Sequence, residues 1–217
     1  MFKKQGIIFA KSIYKKAMKN IILLTISILT LTTSLIADDG WKLEKDKNGI
    51  QIWNRKVTNS ALKEFKVITV LNTTPDKLLA FLKNTSKYDQ WMYKIDEGSV
   101  KVLKRNNDND YFTYMTVTAP LIKTREAITH MVFYPQDSKG TILITLDGTP
   151  DLIPKNDKYV RIPMMKAYFK IVPLGNGKVE LIHQALSSPG GAIPDVLVNM
   201  SSVDCPYSMF SKIKELL

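Results

Sequence analysis

Apolar and polar residues alternate with period two along most of the chain after residue 41, and a helical spacing replaces the alternation in two places. Ile50-Gln51-Ile52-Trp53-Asn54-Arg55 and Phe65-Lys66-Val67-Ile68-Thr69-Val70 read as strands, each with one buried and one exposed face. Thr74-Pro75-Asp76 then opens a helix, with Thr74 as N-cap and Pro75 at the first helical position, where a missing N–H costs nothing. Leu78, Leu79, Phe81 and Leu82 follow at helical spacing, and Tyr88 and Trp91 fall in a second short helical turn. From Gly98 the strand pattern returns, in residues 100–103, 111–118, 124–134, 141–146, 167–172 and 179–186. Turn chemistry separates these runs: Asn106-Asn107-Asp108-Asn109-Asp110, Asp137-Ser138-Lys139-Gly140 and Gly175-Asn176-Gly177-Lys178. After Pro194, residues Leu197, Met200, Val203, Tyr207, Phe210, Ile213 and Leu217 recur every three or four positions and form one apolar stripe. Pro206 is expected to kink that helix or start it anew.

Strands, a helical insertion, a long antiparallel meander and one terminal helix make an α+β plan. A twisted antiparallel sheet of about eight strands curls around whatever covers it, so a sheet gripping the long helix is the economical arrangement. Strand parity then selects an inner face. In residues 124–134 it places Arg125, Ala127, Thr129, Met131 and Phe133 inward, with Glu126, Ile128, His130 and Val132 opposed. Phe169 and Ile171, and likewise Leu181 and His183, share the inner face of their strands. Periodicity alone favours a solid core built from these residues, with no ligand space. Methionines at 115, 131, 164, 165 and 200 would give an adaptable lining or ordinary core filler.

Charge changes the picture less than its total implies. There are 31 Lys and Arg against 20 Asp and Glu, a formal +11. Six of the lysines lie in residues 1–37, which contain no acid, so the rest of the chain carries only +5. Its basic residues are scattered singly, which argues against a nucleic-acid partner. Cys205 is the one cysteine, so no intrachain disulfide can form. It has no cationic neighbour in sequence and reads as an inert buried thiol. His130 and His183 lie on different faces by parity, and no H-E-x-x-H, G-x-S-x-G or C-x-x-C string occurs. The sequence offers no metal site, no cofactor site and no catalytic constellation. Adjacent Arg125 and Glu126 point to opposite faces; one is expected to anchor the neighbouring loop and the other to meet solvent.

Four local signatures in order carry a family resemblance. They are Gly49-Ile50-Gln51-Ile52-Trp53-Asn54-Arg55, Tyr88-Asp89-Gln90-Trp91, Ala119-Pro120-Leu121-Ile122-Lys123-Thr124-Arg125-Glu126, and Ser188-Pro189-Gly190-Gly191-Ala192-Ile193-Pro194 before Leu197-Val198-Asn199. Over residues 41–217 the chain resembles the START (StAR-related lipid transfer) domains of the Bet v 1-like superfamily. The resemblance implies a helix-grip fold: a curved antiparallel sheet around a long C-terminal helix, with an internal apolar tunnel. It also implies a non-enzymatic protein that binds, and carries or senses, a lipid or other hydrophobic small molecule. A polyketide-cyclase-like tunnel enzyme and a protein-interaction module on the same fold are the alternatives.

With parity, the resemblance nominates a lining of Met115, Val117, Ala127, Thr129, Met131, Phe133, Phe169, Ile171, Leu181, His183, Leu197 and Met200. It makes Ala119, Pro120, Leu121, Ile122 and Lys123, with Gly190 and Gly191, a lid or gate, and it leaves Arg125 and Glu126 structural. Transient membrane contact is compatible with it, and a monomer is the default. Where some lipid-binding members place a buried arginine, this chain has Met131, and the tryptophan many members have after the Ile-Pro pair is absent.

The N-terminus reads as an address. Lysines precede an uncharged apolar run over residues 21–36, short for a span of about 20 residues, and Asp38-Asp39 closes it. Positive charge before the run favours export of the residues C-terminal to it. Residues 1–37 are therefore expected to be a signal peptide, or an uncleaved anchor, and 38–217 an exported periplasmic or secreted domain. N-terminal sequencing of the protein from its native host should begin at Asp38. A mature chain that begins at Met1 and pellets with membranes would make it a tethered domain instead.

Overall fold

The structure, a computed structural model, describes residues 39–58, 62–120, 122–191, 193 and 195–217, the side chains of 195–201 excepted. The predicted export segment lies outside the described residues. From Gly40 onward the chain is one unit, in which the described residues form ten strands and three α-helices. The strands are β1 (Lys42–Lys47), β2 (Ile50–Lys56), β3 (Lys63–Leu71), β4 (Lys101–Asn107), β5 (Asp110–Val117), β6 (Arg125–Phe133), β7 (Ile142–Gly148), β8 (Val160–Arg161), β9 (Met164–Gly175) and β10 (Lys178–Ser188). The helices are α1 (Pro75–Lys83), α2 (Tyr88–Trp91) and α3 (Asp195–Leu216). The sheet runs β1-β2-β3-β10-β9-β7-β6-β5-β4, and the short β8 pairs with β6 in parallel.

Local chemistry accounts for most of this order. The Thr74 side chain accepts a hydrogen bond from the Lys77 N–H and caps α1, Pro75 sits in its first turn, and Leu78 and Leu82 are its buried residues. Asn176 and Gly177 both hold positive φ, at 51° and 69°, which is what a two-residue hairpin turn between twisted strands requires. The same chemistry at Asn48 and Gly49 (φ 55° and 70°) joins β1 to β2. Nothing in the apolar pattern marks β1, because its Lys-Leu-Glu-Lys-Asp-Lys run is an edge strand with almost every side chain in water; the Asn-Gly pair is the readable cue. The β4 strand is likewise exposed throughout and extends past the predicted 100–103 to Asn107.

Pro206 neither ends nor restarts the terminal helix. α3 runs unbroken through it for 22 residues. The proline removes one helical hydrogen bond, but the helix is held from outside. The Asn54 side-chain N–H donates to Ser202 Oγ at 2.8 Å in the interior, Asn48 donates to the Tyr207 hydroxyl at 3.1 Å, and Lys45 pairs with Asp204 at 3.1 Å. These contacts, with Lys214 Nζ lying beside Gly49, run α3 along β1 and β2 so that its last turns reach the Asn48-Gly49 end of the sheet.

A second correction concerns the Arg125-Glu126 pair. They do point to opposite faces, but neither meets solvent: Arg125 is 5% exposed and Glu126 1%. The segment between β7 and β8 folds over the outer face of β6, and from it Arg161 Nε donates to Glu126 Oε1 at 2.9 Å. The rest of the Arg161 guanidinium donates to the carbonyls of Pro150, Ile153 and Pro154, and Glu126 also accepts the Asn156 N–H. Arg125 is buried, donates to the Lys123 carbonyl, and its Nε has no partner among the described residues. Losing one member of a buried, hydrogen-bonded ion pair typically costs about 3–5 kcal/mol. Urea unfolding of Arg161→Met should show a loss of that order; a change below about 1 kcal/mol would mean the pair behaves as a surface salt bridge.

Candidate functional site

The strand registers stack the inner face into tiers. Phe133, Ile144, Phe169, His183 and Val67 are successive cross-strand partners and define one tier. Four residues back along β6, Thr129 pairs with Gly148, whose missing Cβ makes room for the Met165 backbone, and Met165 pairs with Ser187. At about 3.3 Å per residue the two tiers are about 13 Å apart. Between them lies a cavity of about 180 Å³.

Its wall is apolar. From the sheet come Phe65, Met115, Ala127, Met131, Ile144, Leu146, Met165, Ala167, Phe169 and Ala185; Leu82, Tyr88, Trp91, Met92 and Met209 close it from the helical side. Thr129, His183 and Ser187 also border it, and no Asp, Glu, Lys or Arg borders it among the described residues. Small residues (Ala127, Ala167, Ala185) face this space where larger ones would fill it. The single helix α3 cannot reach across a sheet this wide.

Of the nominated lining, Met115, Ala127, Thr129, Met131, Phe169 and His183 border the cavity. Phe133, Ile171, Leu181 and Val117 do not. Ile171 and Leu181 lie beyond the His183 tier, fully buried with Ile142, where the last turns of α3 bring Phe210 and Ile213 against the sheet, so they form a solid floor. Phe133 stacks on Tyr111 with ring centroids 5.4 Å apart, and Val117 ends β5 half-buried beside Ile95. The Leu197 and Met200 side chains, and Leu121, lie outside the described residues. Strand parity does not reach Tyr88, Trp91 and Met92, although the helical spacing at Tyr88 and Trp91 is an available cue. Trp91 packs edge-on to Tyr88 (5.2 Å) and Phe169 (6.5 Å), so α2 is a wall of the cavity.

The loop from Ala119 to Lys123 joins β5 to β6 at the Thr129 end. Ala119 and Ile122 are half-buried, Pro120 and Lys123 exposed, and Lys123 Nζ donates to the Asp157 carbonyl at 2.7 Å. Gly190 and Gly191 hold φ of 67° and 65°. A Cβ on Gly190 would come within 2.9 Å of the Arg161 carbonyl, so this glycine seats the chain closely against β8 before α3 begins.

Comparison with known proteins places this geometry. No family model matches the chain. It is 26% identical over 200 residues to an uncharacterized protein of Pseudomonas aeruginosa, covering 91% of this chain and 97% of that one. In structure it is similar to the STAR-related lipid transfer protein (fragment 25-204) of Xanthomonas axonopodis, with a TM-score of 0.75 and 29% identity over 82% of this chain and 98% of that one. Human STARD10 gives 0.71 at 20% identity over 81% and 72% of the two chains, and human StAR-related lipid transfer protein 5 gives 0.67 at 15% over 94% and 96%. The chain has the START helix-grip fold.

Within the START fold the titratable groups divide clearly. His130 is on the outer face, stacked on Phe112 with centroids 4.2 Å apart and 2.7 Å from Asp110; its hydrogen bond lowers the Asp110 carboxyl. His183 is enclosed, stacked on Phe169 at 4.1 Å, and burial pushes its pKa down to about 4. Its Nδ1 lies 2.9 Å from the Tyr168 carbonyl, which can only accept, so Nδ1 carries the proton of the neutral ring. The Tyr88 hydroxyl donates to the Leu82 carbonyl at 2.7 Å, and burial raises its pKa well above the ordinary tyrosine value. The Cys205 thiol is pushed up to about 11 by burial and by Asp204, the opposite of nucleophile activation. Among the described residues, no group of three or more His, Cys, Asp or Glu could hold a metal ion.

A buried neutral histidine makes stability depend on pH. The unfolded chain binds a proton at His183 below about pH 6.5 while the folded chain refuses it down to about pH 4, so stability falls as pH drops through that window. Chemical denaturation should show His183 contributing a loss of about 3 kcal/mol between pH 7 and pH 4, a slope His183→Phe removes. An unchanged slope in His183→Phe would place the imidazole in contact with water.

Proposed function

We propose that this chain binds a lipid or other hydrophobic small molecule in the apolar cavity of its START fold, without catalysing a reaction on it, and carries or senses that molecule outside the cytoplasm. The observation that carries the reading is the apolar cavity itself, bordered by five methionines (Met92, Met115, Met131, Met165, Met209) and three alanines. Thioether chains repack at low cost around ligands of different shape. Among the described residues the surface facing the space is apolar, which supports a cavity that offers a ligand burial.

At about 180 Å³ the space is smaller than the roughly 300–1,000 Å³ of typical ligand pockets. A full-length lipid therefore enters by displacing methionine side chains and the elements at the Thr129 end, the loop 119–123 and the start of α3. Such an opening takes microseconds to milliseconds.

Ala127 borders the cavity from β6, and its substitution separates a ligand space from a packed core. Ala127→Trp places an indole where the ligand would lie. The variant should stay folded by circular dichroism, lose no more than about 1 kcal/mol of stability, and take up a fluorescent fatty-acyl probe at least tenfold more weakly. In a solid core, overpacking costs about 1–3 kcal/mol or more. A variant that loses that much while probe binding is unchanged would contradict the reading.

A further inference from the structure

Three lysines near the β1 edge of the sheet share one face. Lys42 is the cross-strand partner of Asn54, and Lys56 that of Lys63. Residues two apart on a strand point the same way, so Lys56 lies on the side of Asn54 and Lys63 on the side of Phe65. Like charges directly opposite each other in an antiparallel pair are destabilising. None of the three has a carboxylate partner among the described residues. Other cations of the same strands do have partners: Lys45 pairs with Asp204 at 3.1 Å and Arg55 with Glu64 at 2.7 Å, and Lys66 Nζ lies 4.4 Å from the centre of the Trp41 ring.

Lys42, Lys56 and Lys63 border one groove of about 380 Å³, together with Glu44, Asn54 and Arg55. None of these six residues borders the apolar cavity, so the groove is a separate place on the molecule. With Arg55 set against Glu64, the three lysines meet one carboxylate, Glu44, and positive charge is left over. Asn54 is 2% exposed; one end of its amide is bonded to Ser202 Oγ at 2.8 Å, and the other end has no hydrogen-bond partner. A hydroxyl both donates and accepts, and the two ends of an amide have the same shape, so either end of Asn54 can take the Ser202 bond. Buried polar groups almost always find partners, and each exception in a folded protein has a cause.

We propose that this groove is a second binding site, and that it takes a phosphate group whose oxygens accept hydrogen bonds from Lys42, Lys56 and Lys63. A phosphomonoester carries a charge of about −1.5 to −2 at pH 7 and three strong acceptor oxygens, which matches three ammonium donors facing one carboxylate. A carboxylate ligand, with one charge and two oxygens, leaves a lysine unanswered. The bound anion also relieves the repulsion between Lys56 and Lys63. A soluble phosphate compound and the headgroup of an acidic lipid share this chemistry. The site goes beyond the hydrophobic-ligand reading and does not depend on it.

The test uses two probes at low ionic strength: inorganic phosphate, and phosphatidylcholine vesicles with or without phosphatidic acid. The full chain is compared with Lys56→Gln/Lys63→Gln and with Lys77→Gln/Lys139→Gln, which removes the same charge from exposed positions elsewhere. The first variant should weaken binding about tenfold or more, the loss of charged hydrogen bonds, and the second less than about twofold, a screened long-range effect. That pattern with inorganic phosphate assigns a soluble ligand; the same pattern only with vesicles that contain phosphatidic acid assigns a lipid surface. Binding of neither probe, or equal weakening by both variants, overturns the proposal. Circular dichroism checks that the variants fold. In the wild-type chain, whichever probe binds should move the backbone amide resonances of residues 42, 54, 56 and 63, and shifts confined to other residues also overturn it. None of these outcomes bears on uptake of a fatty-acyl probe by the apolar cavity, so the two readings fail separately.

Discussion

A wide antiparallel sheet that must bury one face against a single helix is the constraint that shapes every other part of this structure. Nine strands in one continuous antiparallel order twist and curl, and the curl encloses more volume than one helix can occupy. At the Asn48-Gly49 end, α3 reaches the sheet and the interior is solid, with Phe210, Ile213, Leu181 and Ile171 all fully buried in one core. Toward the opposite end α2 stands in as a partial wall, and the space between it and the sheet stays open.

The outer face shows how the same fold bears burial of charge. Glu126 lies beneath the segment linking β7 to β8, and the Arg161 fork satisfies it while also closing the carbonyls of that segment. The charge is therefore fully partnered on the outside of β6. On the inside of the same strand the wall is neutral, with Arg125 buried at the edge toward the loop 119–123. One strand thus separates a structural ion pair from a cavity that, among the described residues, uncharged groups border.

The alternating strands, the Thr74-Pro75 helix start and the terminal apolar stripe are legible in the sequence, because each rests on a local period. Parity on β6 also places Ala127, Thr129 and Met131 on the face that lines the cavity. Depth is not legible. Leu181 and His183 share a face, yet one lies in the floor and the other in the wall, and only the path of α3 decides which. Burial of Glu126 has no local signal because its cover, Arg161, is distant in sequence. The edge strand β1 has none because an exposed strand lacks an apolar period, and the spacing in α2 marks a helical turn but not a wall.

If the cavity exists to be filled by a hydrophobic ligand, the chain purified without detergent from its own source should carry one, and native mass spectrometry reads this without a variant or a probe. The expected result is a population heavier than the bare chain by one small apolar molecule, released on raising the collision energy and extractable into organic solvent. A single species at the mass of the bare chain, unchanged after incubation with lipid extract from the same cells, would contradict it.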